Sequence, residues 1–138
     1  MELSKPTLDR MNENLLYTTL GIRLEEAAEG RARARLTPKA EMCWPFPDQP
    51  HGGILFTMMD TTMAWAVQSL LESGYACTTV DLNIQYLAPA KGGRFFCKAW
   101  TSHQTKHLVF VRADIVDSED HPLAVGQATF RIIKMDFI

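Results

Sequence analysis

From Gly52 to Leu71 the chain reads GGILFTMMDTTMAWAVQSLL, and Asp60 is the only formal charge in those twenty residues. A segment this apolar has to be enclosed by the rest of the molecule, so it sets the problem every other element must solve. Leu55, Met58, Met59, Met63 and Trp65 form a large apolar face at helical spacing. Gly53, Thr57, Asp60, Ala64 and Gln68 form a stripe of small and polar residues beside it. A stripe open to solvent would carry Lys or Glu, so this one is expected to face a cleft or a second subunit. The segment has the ~20 residues a membrane span needs. Asp60, Gln68, three threonines and two glycines within it argue instead for a buried core helix over about 52–72, with Gly74 as its C-cap.

The flanking sequence supplies what could enclose such a helix. Leu8, Met11, Leu15 and Leu16 predict a short amphipathic helix over about 8–17. Ile22, Leu24 and Ala27 suit a first strand, and Arg31 to Leu36 alternates strictly, as a strand with one wet face does. Pro45, Pro47 and Pro50 make the approach to His51 a loop. After Gly74 everything reads as strands, over 78–87, 94–102, 108–116 and 123–133, joined by polar turns. In the first of these, alternation predicts Thr79, Asp81, Asn83 and Gln85 on one face and Val80, Leu82, Ile84 and Tyr86 on the other. The order of elements predicts one α+β domain over residues 1–138, an antiparallel curved sheet wrapped around a long central helix.

Composition narrows the function. A net charge of -2 and a pI near 6.1 give no electrostatic case for nucleic acid or an anionic membrane as partner. Cys43, Cys77 and Cys97 are odd in number and lack metal-ligand spacing, so neither disulfide nor metal is expected, and a reduced, cytoplasmic setting fits. The charged N-terminus lacks the apolar run of a signal peptide. Within the core helix, a lone buried carboxylate is costly unless it is paired or used. Gly52 and Gly53 leave backbone N–H groups bare at the helix N-terminus, where geometry and the helix dipole favour an anion. A carboxylate and an oxyanion-stabilising end on one helix suggest acyl-group chemistry.

Three stretches in order, His51-Gly52-Gly53 with an acid nine positions after the His, then VDLNIQYLAPA, then C-terminal hairpins, resemble the hotdog-fold acyl-CoA thioesterases of the phenylacetate-degradation type. The likeness runs from about Leu15 to Lys134. It implies hydrolysis of an acyl-CoA thioester without metal or redox cofactor, coenzyme A entering only as part of the substrate. It also implies Asp60 as nucleophile or general base, the Gly52 N–H as oxyanion donor, Thr79 assisting, and His51 orienting the helix start. Thr78 is an immediate competitor for the threonine role. Gln49, Gly53 and Met59 are candidates for contact with substrate, and Phe46, Phe56 and Trp65 are core residues of which some could line an acyl pocket. The chain departs from the family at Pro45, where relatives often carry Asn; Gln49 is the candidate to supply an amide instead. Arg31, Arg33, Arg35, Lys91, Arg94 and Lys106 are either ordinary solvated charges or a grip on the coenzyme's phosphates. Two alternatives are a hotdog dehydratase or hydratase, which the HGG start disfavours, and a non-catalytic acyl-CoA-binding module. Gly52 and Asp60 are separated by eight residues, about 12 Å along a helix. One thioester cannot meet both within one chain, so the expected active form is a homodimer or homotetramer with sites shared between chains.

Overall fold

The computed structural model describes residues 2–43 and 48–136; Pro45 and Phe46 lie outside them. Two short helices, α1 (Lys5–Met11) and α2 (Leu15–Leu20), precede strands β1 (Ile22–Ala28) and β2 (Arg31–Leu36). Helix α3 (Gly52–Gln68) follows, and then β3 (Tyr75–Tyr86), β4 (Phe95–Gln104), β5 (Leu108–Asp117) and β6 (Pro122–Lys134). All six strands form one antiparallel sheet in the order β1-β2-β4-β5-β6-β3. The sheet curves around α3, whose Met58, Met59, Met63, Ala66 and Val67 are wholly buried against Leu36, Phe95, Val109, Ile115 and Phe130. This is the architecture the sequence predicts.

The helix boundaries differ from expectation, and each difference has a local cause. The N-terminal segment is two helices instead of one over 8–17. Asn12 is buried, donates to the Leu24 carbonyl at 2.8 Å and accepts from the Leu24 N–H at 2.7 Å. That tie to β1 breaks the helix, and Asn14 caps a new one through Leu16 N–H. Helix α3 stops at Gln68, short of residue 72. Its C-cap, Ser69, donates to Ala66 O at 2.7 Å and accepts the Gly30 N–H at 2.9 Å. Leu70 and Leu71 then bond back three residues, to Val67 and Gln68, tightening the last turn. Gly74, with φ +90°, sits in the turn leading into β3 and is not the cap.

The predicted alternation along β3 also fails at one point. Thr79 pairs with Phe130, but Asp81 pairs with Thr129, so Val80 is an extra residue that forms a β-bulge. Opposed residues share a face of the sheet. Thr79 therefore lies with Leu82, Ile84 and Tyr86 on the side of α3, while Asp81, Asn83 and Gln85 lie on the outer side. Thr78, paired with Arg131, faces outward.

Candidate active site

The small polar stripe of α3 lies along β3, which runs beside it in the opposite direction. Gln68 donates to Tyr75 O at 3.0 Å, Cys77 approaches Ala64 O at 3.5 Å, and Thr79 donates to Asp60 Oδ1 at 2.7 Å. At the far end Tyr86 Oη donates to Gly52 O at 2.6 Å. The stripe expected to face a cleft or a second subunit thus borders a seam between α3 and the edge strand β3. Asp60 is half-buried in this seam, where Thr79 holds one carboxylate oxygen. A charge-assisted bond of this length is strong and fixes the carboxylate's rotation. The structure brings Thr79, and not Thr78, to Asp60.

The helix start is built with equal specificity. His51 caps α3 by accepting the Gly53 N–H on Nδ1 at 2.8 Å, which leaves the ring proton on Nε2 of the neutral imidazole. The His51 carbonyl accepts Ile54 N–H at 2.9 Å. Of the two glycine N–H groups expected to be bare, Gly53's is therefore taken. Gly52's has no partner among the described residues. A groove of about 390 Å³ opens beside it, lined by Gln49, Pro50, Gly52, Leu55, Tyr86, Leu87, Ala88, Pro89 and Ala90. Gln49, a candidate for contact with substrate, is at the wall of this groove. Met59 does not line the groove: it is wholly buried with its thioether against Gly126 of β6.

Two residues at the seam escaped the sequence reading. Tyr86 was legible only as an inner-face strand residue; an aromatic with a polar tip at a strand end was the available signal. Cys77 neighbours Asp60, and its thiol is pushed up to about 11, by burial first and by the Asp60 charge second. That shift favours the neutral thiol at physiological pH. Among the described residues no group of three or more His, Cys, Asp or Glu is placed to hold a metal ion. Nor is any helix long and apolar enough to cross a membrane.

With this geometry in view, the likenesses to known proteins are specific. The family model described as the thioesterase superfamily matches residues 51–124, more than half of the chain, from His51 into β6. A Halobacterium salinarum protein bearing an esterase name is 31% identical over 135 residues, covering 91% of this chain and 89% of its own. Among solved structures, a Haemophilus influenzae thioesterase superposes with a TM-score of 0.88 at 22% identity, covering 96% of this chain and 92% of its own. The Escherichia coli PaaI protein, from the phenylacetic acid degradation operon, superposes at 0.80 with 25% identity, covering 93% of this chain and 92% of its own. The fold is the hotdog fold, and the chain belongs to the thioesterase superfamily.

Proposed function

We propose that this protein hydrolyses acyl-CoA thioesters to the free acid and coenzyme A, in a dimer or tetramer whose sites each unite two chains. The observation that carries the reading is the Thr79–Asp60 bond of 2.7 Å on the same helix whose first residue, Gly52, has an N–H with no partner among the described residues. In each site Gly52 N–H, reinforced by the helix dipole, polarises the thioester carbonyl. Asp60 of the partner subunit attacks the carbon or deprotonates a water that does. The C–S bond breaks, and coenzyme A leaves as thiolate and takes up a proton. With water as attacker the acid forms directly; with Asp60 as attacker a water then cleaves the acyl–carboxylate anhydride, which releases the acid and restores the carboxylate. Thr79 holds one oxygen of the carboxylate so that the other is free to act.

Pairing of two chains is supported by the offset of about 12 Å between Gly52 and Asp60 along α3. It is supported also by β3, an outermost strand of twelve residues. Its Val80 is 57% exposed and its Tyr86 50%. A long edge strand whose backbone is unpaired on one side is a liability that natural proteins cover. Release of free thiol across a panel of short-chain, long-chain and aryl acyl-CoAs tests the reading. At least one member should turn over, and Asp60→Asn should lower that rate by about 10²–10⁴-fold while the fold persists. Tight binding of acyl-CoA without turnover would assign a binding module instead. Near-normal turnover by a folded Asp60→Asn protein would remove Asp60 from the chemistry.

A further inference from the structure

We propose that Tyr86 is a positioning residue that clamps the Gly52–Gly53 peptide group and so aims the Gly52 N–H at the substrate carbonyl, an inference that rests on the reading of Gly52 as the oxyanion donor. Two consecutive glycines at a helix start are the least constrained backbone a chain can present. An oxyanion donor needs the opposite, because a misplacement of ~1 Å can cost about 10²-fold in rate. The structure resolves this conflict around one peptide plane. Its carbonyl, Gly52 O, accepts from Tyr86 Oη at 2.6 Å, and its N–H, that of Gly53, donates to His51 Nδ1 at 2.8 Å. One side chain thus grips each edge of the plane.

The Tyr86 ring packs beside the helix start: a Cβ built on Gly52 would sit in ordinary van der Waals contact with it, at 3.4 Å from Cζ and Oη and 3.5 Å from Cε1. The preceding plane is held as well, since the His51 carbonyl accepts Ile54 N–H at 2.9 Å and the His51 N–H reaches Met42 O at 3.4 Å. The carbonyls of His51 and Gly52 and the N–H groups of His51 and Gly53 are all engaged, while the Gly52 N–H has no partner among the described residues. Partial burial raises the Tyr86 phenol above its usual value, so the hydroxyl remains a donor throughout the neutral range. Tyr86 also lines the groove beside Gly52. Its hydroxyl is committed to the backbone there, which makes its role one of aim and not of direct contact with the reacting atoms.

The test compares wild type with Tyr86→Phe, which keeps the ring and removes the donor. Thiol release from an acyl-CoA should show kcat lowered about ten- to a hundredfold with KM changed by less than about twofold. Backbone amide relaxation of ¹⁵N-labelled protein should show Gly52 and Gly53 gaining motion while the melting temperature holds. Unchanged kcat in Tyr86→Phe, with Asp60→Asn inactive in the same assay, would overturn the clamp and leave the proposed function intact. A fall in kcat matched by a comparable rise in KM or by a collapse in melting temperature would reduce Tyr86 to a structural or binding role and overturn it too. A wild type without turnover on any acyl-CoA would remove the oxyanion role itself, and that failure is told apart by its appearance before any variant is made.

Discussion

Thr78 and Thr79 are adjacent and chemically identical; strand alternation puts them on opposite faces, and the bulge at Val80 sets which of the two shares the α3 side with Leu82, Ile84 and Tyr86. Thr79 meets Asp60 and Thr78 faces outward beside Arg131. That contrast makes a controlled experiment. A hydrogen bond to a charged group contributes about 1.5–3 kcal/mol, which corresponds to a roughly 10–150-fold effect if it is needed in the transition state. Thr79→Val should lower kcat on an acyl-CoA within that range, Thr79→Ser should restore most of it, and Thr78→Val should leave steady-state rates unaltered. Equal effects of the Val variants at 78 and 79 would show that the bond to Asp60 carries no catalytic weight. At the same scale, Asp60 itself was legible in the sequence, because a lone charge in an apolar helix demands an explanation. Its partner Thr79 is reached only through the family resemblance, with Thr78 as a competitor, because choosing between two threonines from the residues alone requires the register of β3.

The elements were largely legible, and their ends were not. Strict alternation in Arg31–Leu36 and the apolar run of α3 identify strand and helix from side-chain period alone. The stop of α3 at Gln68 depends on Ser69 meeting Gly30, a residue thirty-nine positions away, which no local signal announces. The break between α1 and α2 likewise depends on Asn12 reaching Leu24. At Gly126 the α3 side chain Met59 packs directly on the backbone of β6, where a Cβ would collide with Met59 Sδ and lie 3.0 Å from Asn83 O. Met59 is fully buried and cannot swing away cheaply. Gly126→Ala should therefore destabilise the fold by about 1–3 kcal/mol, measured as a shift in the denaturant midpoint at unchanged slope. A neutral outcome would mean that the helix–sheet packing at Met59 is more compliant than its burial implies.

For the whole molecule the question is how many chains make a site. If Gly52 of one subunit works with Asp60 of the partner subunit, two individually dead variants should complement each other. Gly52→Pro removes the N–H at a position where Pro is tolerated, and His51 already has the extended φ -56°, ψ 137° that a residue before Pro adopts. Mixed with Asp60→Asn under conditions of subunit exchange, it should yield heterodimers with up to about half of wild-type activity, since one site of two is intact. Verified exchange between folded, dimeric variants with no return of activity would refute shared sites, as would turnover by a strictly monomeric species. The sequence alone determined that an apolar helix carrying one acid must be wrapped by an antiparallel sheet, because side-chain period and the cost of a buried charge are local properties. Which threonine meets the acid, which glycine N–H stays free and which tyrosine holds the helix start were decided only by tertiary structure. The threonine and the tyrosine depend on strand register and on contacts between residues far apart in the chain, which a one-residue bulge is enough to reverse, whereas the glycine depends on how the His51 ring folds back onto the helix start.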